Sequence, residues 1–240
     1  MVFKVLVDGS NLGTAIAAMR ANCVECLATF PSADVMYMRA IDTANVCICE
    51  CKTKVVVTGE PEQLGIDLLE MPTDLSGPIE LEVADRILIK VGRVTHKIKV
   101  LHPGYIRAPP EPKVQWPFVF DLPASELRLG FNEVVKKIPP KDTQGGVFIT
   151  WRGDELIIED ISRDVVSVSY APEELHIRVP CDHPVETLLP ADYVRPLVSV
   201  LGKLDRCIVG LGQTLPVSIG GNNKDLTVGV GYFIAPRSPP

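Results

Sequence analysis

The stretch HPGYIRAPPEPK, residues 102–113, decides how the rest of the chain is organised. Prolines stand at positions 103, 109, 110 and 112, and because proline has no backbone N–H, the stretch can be neither a helix nor an inner strand. An extended connector is the natural interpretation. It lies near the middle of the 240 residues, and the sequence before it resembles the sequence after it. We therefore expect an N-terminal domain at 1–101, a connecting strap at 102–117 and a similar C-terminal domain at 118–240.

The duplication is clearest at the start of each half, where a strand (2–8 and 118–122) precedes a helix. Each helix shows apolar residues spaced by four, three and four, which is typical of one buried face. These are Leu12, Ile16, Met19 and Cys23 in the first half, and Leu127, Phe131, Val134 and Ile138 in the second. Position 127 matches position 12, a shift of 115 residues, and Ser10 and Ser125 are the expected N-caps. The agreement of strand, cap and stripe indicates an internal repeat.

The remaining elements follow the same order in both halves. After each first helix come three strands, and then a second helix is expected, at Asp67–Leu75 (weakened by Pro72) and from Pro190 onward with Pro196 in its first turn. Alternating strands close each half, the last two at 227–230 and 231–235. The predicted fold class is α+β: two duplicated, mostly β domains, each with two helices packed on antiparallel sheet.

The cysteines and the charge bound the function classes. Cys47, Cys49 and Cys51 alternate along one strand and share a face, where they pack as small hydrophobic residues. Cys23 and Cys26 form a CxxC pair within a helical pattern, and no second pair follows at metal-ligand spacing. The net charge of −6 argues against a surface that is basic throughout. No apolar run is long enough to cross a bilayer, and the N-terminus lacks a signal-peptide layout, so an intracellular protein is expected.

No catalytic arrangement stands out. The sequence has no GxSxG, HExxH or Walker phosphate loop, and its four histidines are scattered. Gly210-Leu211-Gly212 lacks the third glycine of a dinucleotide loop. We expect that the protein is not an enzyme and has no catalytic residue, no metal and no cofactor. The alternative is a metal-dependent enzyme that uses Asp154 and Glu155.

Three motifs carry a resemblance to a known family. GYFIAPR (231–237), RAIDTANV (39–46) and LGIDL (64–68) resemble the proliferating cell nuclear antigen family, the sliding clamps of archaea and eukaryotes. The resemblance covers the whole chain and is that of a divergent archaeal-type member. It implies three two-domain subunits in a ring around duplex DNA, without sequence-specific contacts and without an enzymatic activity. It also implies a clamp loader, and clients such as DNA polymerase, flap nuclease and ligase that dock through short peptides in replication and repair.

The resemblance also implies site residues. A peptide-docking pocket would be lined by Ile41, Val46 and Ile48, by Ile106, Pro109 and Pro110 of the strap, and by Pro216, Phe233, Ala235 and Pro236. An apolar notch of this kind receives aromatic anchors. The subunit interface would use the edges at 95–101 and 165–170, with Thr95, Lys97, Lys99, Val166, Val168 and Tyr170.

The surface implied to face DNA departs from the family. Its cations are few: Arg20, Arg128, Lys136, Lys137, Arg195 and Lys203. Gly13 and Thr14 stand where lysines are common, and the second helix offers Asp67, Glu70 and Asp74 instead. Either a homotrimer holds DNA by topology alone, or the chain is one subunit of a heterotrimer, which the weak charge favours. A cytoplasmic, nucleoid-associated protein is expected in an archaeon and a nuclear one in a eukaryote. The functional alternative is a protein-binding scaffold without a ring, or a checkpoint-type clamp relative.

Overall fold

Two compact units make up the structure, a computed structural model that describes residues 2–140, 142, 144–163 and 165–238. The first unit contains Met1–Pro110 together with Asp225–Val230. The second contains Glu111–Lys224 and Gly231–Pro240. The predicted strap is thus divided between the units at Pro110, and the first unit is completed by a segment from near the end of the chain.

The described residues of the first unit form one α-helix and one long antiparallel arrangement of strands. The elements are β1 (Phe3–Asp8), α1 (Gly9–Arg20), β2 (Glu25–Ser32), β3 (Val35–Ile41), β4 (Cys47–Lys54), β5 (Val56–Thr58), β6 (Leu64–Asp67), β7 (Pro78–Val83), β8 (Arg86–Val91) and β9 (Val94–Leu101). The strands neighbour one another in the order β5-β1-β7-β8-β9-β6-β2-β3-β4. A short 3-10 helix, Pro103–Tyr105, follows β9.

Helix α1 covers the sheet with the stripe that the sequence predicts. Leu12, Ile16, Met19 and Cys23 are all buried. The helix begins at Gly9, two residues earlier than a cap at Ser10 suggests, because the N-cap is Asp8, whose carboxylate accepts a hydrogen bond from the backbone N–H of Asn11 at 3.0 Å. The cap prediction was wrong because the hydroxyl of Ser10 donates to the same carboxylate instead of capping the helix.

The described residues of the second unit form two α-helices and two sheets. Its elements are β10 (Phe118–Pro123), α2 (Ala124–Val135), β11 (Gly146–Trp151), β12 (Leu156–Asp160), β13 (Ser167–Tyr170), a 3-10 turn (Pro172–Glu174), β14 (His176–Val179), β15 (Val185–Pro190), α3 (Ala191–Leu201), β16 (Arg206–Leu211) and β17 (Val217–Asn222). One sheet has the order β14-β10-β16-β17 and the other β13-β12-β11-β15. The last strand, β18 (Val228–Ile234), is shared, since residues 228–230 belong to the first unit.

An aromatic core fixes the second unit. Phe118 and Trp151 stack with centroids 4.5 Å apart, and Phe118 also contacts Phe120 at 5.1 Å. Leu127, Phe131, Val134 and Ile138 are buried, so the predicted stripe is confirmed, although α2 ends at Val135. The N-cap is Pro123, with no side-chain cap bond, and not Ser125.

The helix predicted at Asp67–Leu75 is wrong. Asp67 ends β6, and its carboxylate accepts a hydrogen bond from Leu69 N in a turn that leads to Pro72. Leu68, Met71 and Leu75 are buried without helical geometry. Among its described residues the first unit therefore has one α-helix where two were expected, because proline at 72 and a short segment leave no room for a stable second turn.

Two other predicted details differ from the structure. Pro196 lies in the second turn of α3, not the first, so this helix lacks one internal hydrogen bond. The two predicted closing strands at 227–230 and 231–235 are one continuous strand, β18.

Candidate functional site

A turn after β3 is built around one carboxylate. Oδ1 of Asp42 accepts hydrogen bonds from Val46 N at 2.7 Å and Cys47 N at 2.6 Å, and Oδ2 accepts one from Ala44 N at 3.0 Å. Asp42 is only 6% exposed. Asn45 has a positive φ of 61°, which asparagine tolerates better than most residues. The aspartate thus sets the path of the RAIDTANV motif from β3 into β4.

The turn presents a partly exposed apolar surface. Ile41 and Ile48 face each other across β3 and β4, and both are half-buried, as is Val46. Their neighbours Cys47 and Cys49 are fully buried on the opposite face. The alternation separates a surface set (Ile41, Val46, Ile48) from a core set, as the sequence predicts.

The part of the strap that belongs to the first unit is tied to this turn. Nη2 of Arg39 donates to the carbonyl of Pro110 at 3.1 Å, and Arg107 donates to the side chain of Asn45. Ile106 is buried, and a Cβ built on Gly65 would lie 2.4 Å from its Cδ1, so a glycine is needed beneath it. Ile106 is therefore an anchor of the strap, Pro109 is also buried, and Pro110 is exposed.

The second unit places its own predicted docking residues around Trp116. The indole of Trp116 stacks on Phe233, with centroids 6.0 Å apart and planes inclined by 23°. Its Nε1 donates to the carbonyl of Pro216 at 2.6 Å. Phe233, Pro216 and Ala235 are all partly exposed. Sequence reasoning missed Trp116, which is the residue that joins two of the predicted positions.

A cavity of about 360 Å³ in the second unit adjoins the end of β18. Its lining includes Phe148, Glu186, Leu188, Thr214, Pro236 and Arg237. The backbone N–H of Arg237 donates to the carbonyl of Leu188 at 2.8 Å, which fixes the segment after β18 against β15. Pro236, a predicted docking residue, thus borders a concave surface.

Two of the cations predicted to face DNA are used within the fold. Arg195 of α3 donates to the carbonyls of Val135 at 2.9 Å and Ile138 at 3.0 Å, at the C-terminal end of α2. There it satisfies carbonyls that the helix leaves unpaired. Arg20 approaches the carbonyl of Met71 at 3.4 Å.

The other four predicted cations lie on α2 or just after α2 and α3 in the second unit. Lys137 and Lys203 are exposed, and Lys136 pairs with Glu133 at 2.9 Å. The guanidinium of Arg128 lies beside Gly202, where an added Cβ would be 3.4 Å from its Nε. These positions allow contact with a polyanion, but the ion pair with Glu133 weakens the attraction of Lys136 for one.

The glycine at position 13 of α1, where lysine is common in the family, has a steric reason. A Cβ built on Gly13 would lie 2.4 Å from the carbonyl oxygen of Thr73, and one on Gly9 would lie 2.7 Å from Ser76 N. The segment 73–77 therefore runs directly over the glycine face of α1. A lysine at position 13 is incompatible with this crossing.

The two predicted interface edges lie at accessible places in the sheets. β13, which holds Val168 and Tyr170, is the outermost strand of its sheet and pairs with β12. Val166 lies just before it, and its N–H approaches Asp160 Oδ1 at 3.2 Å. Thr95, Lys97 and Lys99 lie on β9, where β8 pairs with one side and β6 reaches only Val100 and Leu101.

Tyr170 is buried and serves the core of its own unit. Its hydroxyl donates to the carbonyl of Glu126 in α2 at 2.7 Å. Burial, with Glu126 nearby, raises the pKa of the tyrosine to about 12. Only the backbone of Tyr170 is therefore available for strand pairing.

A charged cluster in the second unit was missed by sequence reasoning. Asp121 of β10 meets His176 and Arg178 of β14 and Arg206 of β16. Burial would raise the pKa of Asp121, but hydrogen bonds from Arg178 and His176 outweigh it, and the pKa is lowered. The available signal was the aspartate inside the apolar strand FVFDLP.

The cysteines and the pair Asp154 and Glu155 are the candidates for metal chemistry that the sequence offers. All seven cysteines are buried free thiols, and burial raises the pKa of Cys23 and Cys51 to about 12. Cys23 follows α1 and Cys26 lies in β2, so the CxxC pair is not inside a helix, contrary to our expectation. Among the described residues no three histidines, cysteines or acids come together as a metal site, and Glu155 pairs with Arg152 at 3.3 Å. Within the described residues, too, no helix is long and apolar enough to span a membrane.

Comparisons with known proteins agree with this architecture. No family model matches the chain. It is 25% identical over 254 residues to a DNA polymerase sliding clamp of Methanocella arvoryzae, and 24% identical over 255 residues to one of Methanosarcina barkeri; each alignment covers 98% of both chains.

Solved structures show the same fold. Archaeal PCNA from A. fulgidus, bound to the C-terminal region of FEN-1, has a TM-score of 0.81, 22% identity and 98% coverage of both chains. PCNA from Thermococcus kodakaraensis has a TM-score of 0.76 at 16% identity, covering 98% of this chain and 100% of its own. The fold is the duplicated DNA clamp fold. The predicted resemblance is confirmed: over 98% of its length the chain is similar to archaeal DNA polymerase sliding clamps, and it has the fold of the PCNA structures.

Proposed function

We propose that this chain is a subunit of a DNA sliding clamp, a ring that encircles duplex DNA and tethers replication and repair enzymes. The observation that carries the proposal is similarity to archaeal DNA polymerase sliding clamps over 98% of the chain. The strand–helix repeat, shifted by 115 residues, supports it, since position 127 on α2 matches position 12 on α1. Its role is non-enzymatic: it binds partners and performs no reaction.

Client enzymes dock through short peptides with aromatic anchors. Support comes from the partly exposed set Ile41, Val46 and Ile48, and from Phe233 and Pro216 beside Trp116. The A. fulgidus relative was solved with the C-terminal region of FEN-1 bound, which makes a flap nuclease the first client to test.

The docking test uses a fluorescent peptide from the C-terminal region of A. fulgidus FEN-1 and measures its anisotropy. Phe233→Ala should reduce affinity at least about tenfold, as expected for loss of an aromatic hot spot. Leu69→Ala, which removes a side chain 60% exposed in the first unit, is the matched control and should bind like wild type. Equal binding by wild type and Phe233→Ala would refute this docking surface.

The ring forms by edge-to-edge strand pairing of β9 and β13. β13 is four residues long and lies at the edge of its sheet, and exposed edges of apolar strands are normally covered. Light scattering of the purified chain distinguishes the two assemblies: a trimer mass means a homotrimer, and a monomer that becomes a trimer with sister subunits means a mixed ring. A chain that assembles with neither would favour the protein-binding scaffold instead.

DNA is held mainly by encirclement. Arg195 and Arg20 are engaged with backbone carbonyls, which leaves Lys137, Lys203 and Arg128 as the main phosphate contacts. A clamp loader opens the ring, and the assembled protein is associated with DNA inside the cell. The test measures how long the loaded protein stays on circular DNA. We expect it to be retained on the circle and to be lost when the circle is linearised. Release at equal rates from circular and linear DNA would refute topological binding.

A further inference from the structure

The cluster around Asp121 in the second unit is unusual in its charge. The side chain of Asp121 is 7% exposed, whereas those of His176, Arg178 and Arg206 are 70%, 44% and 50% exposed. Nδ1 of His176 lies 2.6 Å from Oδ1, while Nη2 of Arg178 and Nε of Arg206 lie 3.1 and 3.4 Å from the same atom, Oδ2. One buried carboxylate thus holds two permanent cations and an imidazole.

The clamp fold does not require this cluster, as the internal repeat shows. Under the shift of 115 residues, Asp121 corresponds to Leu6. Leu6 pairs with Val56 in the first unit, and Asp121 pairs with His176 in the second. In the same way Pro78 lies opposite Asp8 in the first unit, and Arg206 lies opposite Pro123 in the second. The first unit therefore folds with three apolar residues at the places where the second has an aspartate, a histidine and an arginine.

The arginines have unused binding capacity. Two guanidinium groups approach one carboxylate oxygen, so they repel each other, and Asp121 supplies one negative charge against their two positive charges. Each uses one nitrogen for Asp121 in the contacts described, and a guanidinium has five N–H donors in a planar fork. A second anion near both forks would relieve the repulsion.

We propose that Arg178 and Arg206, positioned by Asp121, form a binding site for a phosphate group on the β14-β10-β16 face of the second unit. Phosphate suits the site because its oxygens can accept from two forks at once and its charge exceeds that of a single carboxylate. The group comes either from free phosphate or from a nucleic-acid backbone. The site consists of residues other than the helix cations expected to face DNA, and all of its residues lie within the second unit.

The first arm of the test titrates the isotopically labelled protein with inorganic phosphate and follows the arginine Nε–H and backbone NMR signals. We expect saturable shifts centred on Arg178, Arg206 and His176. In Arg178→Gln/Arg206→Gln the affinity should fall by about tenfold or more, since two charge-assisted contacts are lost. Arg93→Gln, at an exposed turn of the first unit, should bind like wild type.

The second arm repeats the titration with a short linear duplex. If the double variant loses phosphate and duplex binding together, the natural source is a nucleic-acid backbone; if it loses only phosphate binding, the source is free phosphate. Shifts that are absent, or that map away from the cluster in the wild-type protein, would overturn the proposal. The mapping uses wild-type protein, so it decides whether phosphate binds at the cluster even where the double variant is unstable.

Discussion

The carboxylate of Asp42 provides a sharp test of how the turn after β3 is held. Asp42→Ala removes the acceptor for three backbone N–H groups, of which Cys47 N is the most deeply buried. A hydrogen bond to a charged group is worth about 1.5–3 kcal/mol, and an orphaned buried donor costs a similar amount. Water can replace the bond to Ala44, which is exposed. Because the bond to Val46 is only part-buried, we take about 1.5–2 kcal/mol for each of the bonds to Val46 and Cys47, and expect a loss of about 3–4 kcal/mol of unfolding free energy.

Asp42→Asn separates charge from geometry. The amide oxygen can still accept from Val46 and Cys47, but its NH₂ would face the N–H of Ala44, so we expect a cost of about 1–1.5 kcal/mol. Urea unfolding followed by far-UV circular dichroism should show a midpoint lowered by about 1–2 M for the alanine variant. Thr43→Ala, in the same turn and exposed, is the control. Equal midpoints for the alanine and asparagine variants would refute this account.

Three further predictions concern the core and its titration. Tyr170→Phe removes the hydroxyl that donates to Glu126 O, and should lower the unfolding free energy by about 1 kcal/mol and Tm by about 2–4 °C, measured by calorimetry; an unchanged Tm would contradict the hydrogen bond. Although burial opposes ionisation of Asp121, its cationic neighbours lower its pKa, so it stabilises the fold above the unfolded-state pKa of about 4. That stabilisation is lost as the pH falls through the lowered folded-state pKa, and Asp121→Asn should flatten this acid limb in urea titrations. Because burial raises the pKa of Cys51 and Cys207 to about 12, a thiol reagent at neutral pH should label the native protein far more slowly than the unfolded one; rapid native labelling would contradict their burial.

The long-range plan of the fold could be predicted because it depends on periodicity. The stripes beginning at Leu12 and Leu127 are buried as expected, and so is the cysteine face of β4. Each pattern repeats over several turns or residue pairs, so one unsuitable residue does not hide it.

Local details failed where two short-range signals competed. Ser10 and Asp8 are both good caps, and the sequence alone does not say which begins the helix. The apolar residues Leu68 and Met71 imitate a helical spacing, yet Pro72 and the close passage over Gly13 favour a turn.

The site was less accessible to sequence reasoning than the fold. The motif around Asp42 could be quoted from the sequence, but its three hydrogen bonds depend on the geometry of the turn. Trp116 and Phe233 are 117 positions apart, and their stacking requires the completed second unit. The cluster around Asp121 joins three strands, so no contiguous pattern could have shown it.

The first unit is completed by residues 225–230, which are synthesised much later than its other residues. Lys54 N donates at 2.9 Å to the carbonyl of Thr227, and the side chain of Thr227 donates to Asn11 at 3.1 Å. During synthesis, residues 1–110 leave the ribosome long before this segment is made. The first unit is therefore still incomplete when its first 110 residues have been made, and a nascent chain carries it unfinished until residues 225–230 have been translated.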